Sequence, residues 1–276
     1  MPPRCWQRRK RRCAIADLSQ AIRAALLTGD KRGKVMATRA LVRAWRKGDL
    51  PDGWSVAMPD RPCWPDGLKV LPAAQMPKRG RGGSQQGRIA LWHSIAHIEF
   101  VAIDLALDIV GRFGAQMDRG FIRDFLQVAA EEAMHFALIE RHLATMGAAY
   151  GDLPVHDGLW QRAEATAHDV AARLAIVPMV LEARGLDVTP AMIERVVAHG
   201  DSRGGRILTR ILDDEIGHVS TGARHFRRWC AANGLEPDKY WKTLIGSHFP
   251  GTIRPPFNDS ARLACGLSRE VYASLA

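Results

Sequence analysis

Two short stretches decide the fold, Glu131-Glu132-Ala133-Met134-His135 and Asp214-Glu215-Ile216-Gly217-His218. Each reads as an acidic residue, a glutamate, two other residues and a histidine. In an α-helix, residues three positions apart lie on one face, so each stretch presents a carboxylate and an imidazole in the same direction. One such pair is common, because a solvent-facing glutamate and a packed histidine often fall at this spacing. Two pairs call for a comparison of their neighbours.

The two stretches belong to a longer internal repeat. Glu99 lies 33 residues before Glu132, and Glu182 lies 33 residues before Glu215. Adding 83 to the numbers of one set gives the other set: Glu99, Glu132, His135 and His142 become Glu182, Glu215, His218 and His225. Unrelated surface residues would not keep these distances. We therefore interpret the set as one site built by two duplicated helical hairpins.

The residue types in the repeat predict a dinuclear metal site. Four carboxylates in apolar surroundings would repel one another, and two divalent cations would neutralise them. Mixed carboxylate and imidazole ligands suit iron or manganese better than structural zinc. We expect two iron ions, or manganese or a mixed manganese–iron pair in their place. The predicted ligands are Glu99, Glu132, His135, Glu182, Glu215 and His218, with Glu132 and Glu215 shared between the metals.

Four further residues are predicted to support the ligands. Glu131 and Asp214 directly precede ligating glutamates, and each is expected to hydrogen-bond a ligating histidine of a neighbouring helix and to fix its tautomer. His142 and His225 lie two turns beyond the ligating histidines, on nearly the same helix faces. For these two, a role beside the ligands or along a channel and ordinary polar packing are both open alternatives.

Periodicity and Pro/Gly punctuation predict an all-α fold, a four-helix bundle with an N-terminal helical and irregular extension and a docked C-terminal tail. The predicted regions are a basic disordered arm at 1–13, N-terminal helices and a proline-rich strap at 14–83, the bundle at 84–233 and the tail at 234–276. The bundle helices are expected at about 84–111, 117–146, 157–184 and from a 200–205 hinge to 233. The remaining expectations are a break at 185–190, a short helix at 190–198 and a last helix at about 260–275.

Composition predicts a cytoplasmic globular protein. No run of about 18 apolar residues occurs, which argues against a membrane-spanning helix, and no apolar stretch follows the basic N-terminus, which argues against a secretory signal. The five cysteines are scattered and lack a Cys-x-x-Cys pair, as in a reducing compartment. Residues 1–47 contain 14 lysines and arginines against two aspartates. The basic run at 8–12 is either an arm that binds nucleic acid or another anionic surface, or a disordered, solvated tail. A start codon assigned too far upstream would also account for it.

At the six predicted metal ligands the chain resembles the ferritin-like superfamily of diiron carboxylate proteins. The 33-residue spacing from each single glutamate to the following Glu-x-x-His is similar to that of bacterioferritin-type ferroxidase sites. Four segments carry a more specific resemblance to a bacterial family of ferritin-like proteins described as a domain of unknown function and related to diiron tRNA hydroxylases. These segments are Leu91–Glu99, Leu181–Pro190, Asp214–Val219 and Pro255–Asn258. The resemblance implies the fold and the metal site rather than a substrate.

Three functions are open on these grounds. The first is an oxygen-activating hydroxylase or oxidase that uses O₂ and an external electron donor on a small molecule or a tRNA. The second is iron oxidation and storage, which long extensions on both sides of the bundle disfavour because they would obstruct a cage. The third is a radical-generating subunit, disfavoured because Tyr150, Tyr240 and Tyr272 lie outside the four ligand helices. A monomer or small homo-oligomer is expected.

Overall fold

The computed structural model describes residues 16–77 and 83–275 and builds most of them into helices. The predicted basic arm lies outside these residues. The all-α prediction is confirmed, since the described residues contain no strand and only one isolated parallel bridge, between Val70 and Val155. The helices are α1 (Leu18–Leu26), α2 (Lys31–Lys47), α3 (Gln85–Phe113), α4 (Arg119–Thr145), α5 (Gly158–Ala165), α6 (Val170–Ile176), α7 (Ala183–Ala198), α8 (Ser202–Ala232), α9 (Pro237–His248), α10 (Asp259–Ala264) and α11 (Arg269–Ala273).

Four helical runs form a bundle. They are α3, α4, α8 and the run in which a π-helical segment, Val177–Glu182, joins α6 to α7. Helix α3 packs along α4, α7 packs along α8, and α4 meets α8 between the two pairs. Helices α4 and α8 begin at the N-caps Asp118 and Asp201, whose carboxylates accept hydrogen bonds from backbone N–H groups of the first turn. These caps are also 83 residues apart, so the repeat extends to the helix starts.

The N-terminal helices predicted within 14–47 are present as α1 and α2, and a buried ion pair ties α2 to α3. Lys34 Nζ lies 2.5 Å from Asp104 Oδ1, and both side chains are fully buried. Trp64, from the irregular strap, donates its indole N–H to the other oxygen of Asp104. Burial raises the pKa of Asp104 to about 6, although Lys34 opposes the shift. The strap is thus fixed to the bundle by a polar contact.

The prediction for the third helix is wrong in two places. The single helix expected at 157–184 is divided into α5 and α6, because the buried side chain of Arg173 hydrogen-bonds to the C-terminal end of α5. Its guanidinium donates to Thr166 Oγ1 and to the carbonyl of Ala163, and it pairs with Asp108 of α3 at 2.6 Å. The break expected at 185–190 is absent, and the helix continues through α7.

The continuity of α7 depends on the C-terminal tail. Pro190 lies inside α7 and has no N–H, so the carbonyl of Leu186, four residues earlier, has no helical donor. Asn258 Nδ2 donates to this carbonyl at 3.1 Å. One residue further on, buried Asp187 accepts hydrogen bonds of 2.8 and 2.6 Å from Arg262. A distant segment therefore supplies the bond that the proline removes, and Glu182 lies inside a continuous helical run.

The tail docks on the bundle as expected, but its helices differ from the prediction. Helix α9 was not predicted. The single helix predicted at about 260–275 is instead two short helices, α10 and α11, which are separated by Gly266 with a φ of +80°. Trp241 on α9 donates to the carbonyl of Ala175 at 3.1 Å. Cys265 contributes a thiol hydrogen bond to the carbonyl of Ile216. The tail thus packs against both α6 and α8.

Candidate metal centre

The bundle brings the predicted ligands to one place. Glu99 comes from α3, Glu132 and His135 from α4, and Glu215 and His218 from α8. Glu182, the last residue of the π-helical segment, faces the same cavity as the other three glutamates. One ligand atom each from Glu99, Glu132, His135 and Glu215 lies within 4.8 Å of the others. This cluster could hold a metal ion, and the two other predicted ligands, Glu182 and His218, lie beside it.

The imidazoles point one nitrogen toward the carboxylates of the cluster. His135 Nδ1 lies 3.2 Å from Glu99 Oε2 and 3.4 Å from Glu132 Oε2. His218 Nδ1 lies 3.0 Å from Glu132 Oε1 and 3.4 Å from Glu215 Oε1. The two oxygens of Glu132 therefore face different histidines. This position is suited to a carboxylate shared between two metal ions.

The Nε2 atom of each histidine hydrogen-bonds to an acidic residue of the other hairpin. His135 Nε2 lies 3.0 Å from Asp214 Oδ2, and His218 Nε2 lies 2.9 Å from Glu131 Oε2. These are the hydrogen bonds that the sequence predicts for Glu131 and Asp214. Because Nε2–H donates to a carboxylate, the Nδ1 atom is the one left for a ligand.

Gln127 and Arg210 are supporting residues that the sequence prediction missed. Gln127 Nε2 donates to Glu131 Oε1, and Arg210 Nε donates to Asp214 Oδ2 at 2.7 Å. Each lies four residues before the carboxylate that it holds, on the same helix face. The numbers 127 and 210 also differ by 83, so the repeat offset applied one turn upstream would have found the pair.

The cluster carries more carboxylates than its own residues balance. Burial raises the pKa of Glu99 to about 8, and the neighbouring Glu132 adds to the shift. Burial and Glu132 raise the pKa of Glu215, and burial and Glu215 raise that of Glu182 well above its ordinary range. Burial alone would lower the pKa of His135, but hydrogen bonds to Glu132 and Glu99 raise it to about 11. The site thus attracts cations, whether protons or metal ions.

One buried nitrogen gives a direct test of whether a metal fits. His218 Nδ1 is buried and makes no hydrogen bond to any described residue. Glu132 and Glu215 approach it within 3.4 Å, but without hydrogen-bond geometry. Buried polar atoms are rarely left unpaired. An unpaired imidazole nitrogen among carboxylate oxygens is the environment that a divalent cation would complete, so the donor set fits a metal.

His142 and His225 do not hydrogen-bond to the cluster. His142 Nε2 lies 2.8 Å from Asp201 Oδ2, and His225 Nε2 lies 2.9 Å from Asp124 Oδ2. Trp92 donates to the same oxygen of Asp201 and packs edge-on against His142. Both histidines thus make polar contacts with aspartates rather than with the predicted ligands.

A cavity of about 470 Å³ opens from the carboxylate side of the cluster. All four glutamates line it, whereas His135 and His218 do not. Its walls are largely apolar and come from the bundle helices and the tail. Wall residues include Ile95, Ala102, Leu105, Val177, Val180, Leu181, Met192, Leu208, Ile211 and Phe249. Glu99 and Glu132 are buried, and the side chain of Glu215 is only 13% exposed.

Fold and site together define an all-helical protein with a buried glutamate–histidine cluster that could bind metal. The chain belongs to the family described as "Protein of unknown function (DUF455)", which matches residues 27–273. It is 41% identical over 226 residues to an uncharacterized protein of Haemophilus influenzae, an alignment that covers 80% of this chain and 76% of the relative. No solved structure matches the chain. None of the helices in the described ranges is long and apolar enough to cross a membrane.

Proposed function

We propose that this chain is a ferritin-like diiron enzyme, a hydroxylase or oxidase that uses O₂. Glu99, Glu132, His135, Glu182, Glu215 and His218 would hold the two iron ions. The observation that carries the proposal is the pairing of two Glu-x-x-His helices whose histidines are each held by a carboxylate of the other helix. This is the ligand pattern of dinuclear carboxylate sites in helical bundles. The iron pair, when bound, supplies the electrons that reduce O₂ and the oxidising power for a substrate.

The chain's own residues keep the imidazoles ready for metal. Asp214 and Glu131 accept from the Nε2–H groups of His135 and His218, so each ring keeps its orientation. Arg210 binds the carboxylate of Asp214 in turn. The arrangement is fixed on helices rather than loops. Binding of two divalent ions would release the protons that the crowded carboxylates and imidazoles otherwise retain.

The cavity favours substrate oxidation over iron storage. All four glutamates line it and the two histidines do not, so a substrate bound there would meet the site from its carboxylate side. Its apolar walls exclude water and give a carbon skeleton a place to bind. A hydrated iron ion on its way to a storage core would gain little from such walls. The tail that forms part of the wall is held to α7 through Asp187 and Arg262.

The test is oxygen consumption by iron-loaded protein. The metal-free full-length chain is loaded with ferrous iron without air and then exposed to O₂ in an oxygen electrode, with an external reductant present. We expect uptake that Glu215→Gln abolishes, because one shared ligand is lost. Absence of uptake by the loaded wild type would contradict the proposal. Size-exclusion chromatography of the same sample distinguishes the alternative, since a large multi-subunit shell would indicate iron storage. Total tRNA added in parallel tests it as a substrate.

A further inference from the structure

Besides the four glutamates of its floor, the cavity is lined by three arginines, which we call the arginine rim. They are Arg184, Arg254 and Arg262. Asp187 contacts two of them, at 2.6 Å from Arg262 and 3.6 Å from Arg184. Arg254 is exposed, and its Nε donates to Thr252 Oγ1 with no carboxylate partner among the described residues. Three guanidinium groups against one carboxylate leave an excess of positive charge at this end.

Arg262 adds a second, independent observation. Its side chain is only 2% exposed, with Nε and Nη2 both engaged by Asp187. The guanidinium lies over the ring of Tyr272, 4.6 Å from its centroid, and over that of Phe257. The third nitrogen, Nη1, is buried and has no hydrogen-bond partner among the described residues. A buried, charged donor without an acceptor is costly, so a side-chain shift that opens Nη1 to the cavity, which Arg262 lines, would let a ligand oxygen satisfy it.

We propose that the cavity binds an amphiphilic organic acid, with its carboxylate at the arginine rim and its apolar body along the wall toward the glutamate cluster. The rim supplies charge-assisted hydrogen bonds from Arg262 Nη1 and from the exposed Arg254. A cavity of about 470 Å³ is a size that small organic ligands occupy. Ile98, 47% exposed and lining the same cavity, extends the apolar surface toward solvent. That the bound acid is the molecule oxidised rests on the proposed function; the binding itself does not.

The orientation follows from charge. An acid placed the other way would bring its carboxylate among four glutamates, which offer it no positive charge unless metal ions are present. At the rim the same group meets the guanidinium groups of Arg184, Arg254 and Arg262. An uncharged molecule of equal length would gain the apolar contacts but leave Arg262 Nη1 unsatisfied. The structure therefore assigns specificity to the head group and affinity to the body.

The experiment is calorimetric titration of the full-length chain with decanoate and with 1-decanol, which share one chain length. It is run on metal-free and on metal-loaded protein. We expect decanoate to bind roughly tenfold or more tightly than decanol, as one charge-assisted hydrogen bond implies. Arg262→Met should remove most of this preference. Because that variant also leaves Asp187 unpaired and can unfold the tail, Arg254→Met, at an exposed position, is measured too and should reduce the preference with the fold intact.

A matched control separates the rim from general charge. Arg228→Met removes one exposed arginine of α8 that does not line the cavity, and it should leave both affinities unchanged. Equal binding of decanoate and decanol, no binding of either, or equal effects of Arg254→Met and Arg228→Met would overturn the proposal. So would a preference for decanoate that exists only with metal and ignores Arg254, since the carboxylate would then bind at the floor. Decanoate binding by a chain that takes up no metal would support the acid site and defeat the proposed function.

Discussion

Replacing Asp214 by Asn tests how the histidines are held. The carboxylate accepts from His135 Nε2 at 3.0 Å, and its side chain is only 16% exposed. A hydrogen bond to a charged group contributes about 1.5–3 kcal/mol, and a neutral one about 0.5–1.5 kcal/mol. The difference of about 1–2 kcal/mol predicts that Asp214→Asn weakens binding of the affected metal ion roughly 5- to 30-fold. The size of a neutral Asn matches Asp, so packing is preserved.

The assay is competition for Fe²⁺ and for Mn²⁺ against a calibrated chelator, without air. Asp213→Asn is the control, because Asp213 is the exposed neighbour on the same helix and carries the same charge. Glu131→Gln should weaken binding of the other metal ion by a similar factor, since Glu131 accepts the hydrogen bond from His218. Equal affinities of the wild type, Asp214→Asn and Glu131→Gln would refute the reasoning. A loss of metal affinity in Asp213→Asn as large as in Asp214→Asn would show that the effect comes from general electrostatics and not from the hydrogen bond to His135.

Three predictions concern the scaffold, each measured by urea unfolding. Gly222→Ala should lower the free energy of unfolding by about 1–3 kcal/mol, because its Cβ would come within 2.4 Å of Pro178, whereas Gly217→Ala, with open space, should raise it by up to about 1 kcal/mol. Asn258→Ser keeps a helix cap but loses the donor to α7, so about 1 kcal/mol should be lost. Asp17→Ala should cost about 1 kcal/mol at pH 7 and less at pH 3.

The pH dependence at Asp17 follows from its hydrogen bonds. The side chain of Ser55 is the main group that lowers the pKa of Asp17, which falls to about 2, and Ser19 and the cap bond to Gln20 N contribute. A depressed pKa stabilises the fold above the unfolded value and loses that contribution as the pH falls toward the folded value. The wild type therefore approaches the variant between about pH 4 and pH 2. An unchanged difference at pH 3 would contradict this.

The glutamate–histidine cluster could be predicted from the sequence because the repeat concerns spacing along helices. Glu132 with His135, and the same pair in the second hairpin, need only the 3.6-residue period to share a face. The cross-helix bonds of Glu131 and Asp214 followed from the same geometry, since a residue beside a ligand points at the adjacent helix. Helix α3, α4 and α8 were placed within a few residues, as long periodic segments usually are.

The third helical run could not be predicted because tertiary contacts override local signals there. Pro190 and Gly185 predict a break in the helix. The break is absent because Asn258, 72 residues along the chain from Leu186, donates a hydrogen bond to the Leu186 carbonyl. Arg173 likewise ends α5 through Asp108 of another helix. The cavity is built by the same contacts, because the tail forms one of its walls. For this reason the arginine rim could not be predicted from the sequence, whereas the glutamate–histidine cluster could.

The most direct test of the account is the metal content of the purified full-length chain. Loaded with Fe²⁺ without air and desalted, the wild type should carry about two ions per chain by mass spectrometry of the native protein. Glu132→Ala should lose at least one ion, because Glu132 faces both histidines, and Glu215→Ala should do the same. Wild-type protein without bound metal, or two ions retained in both variants, would contradict the claim that these residues form a dinuclear centre.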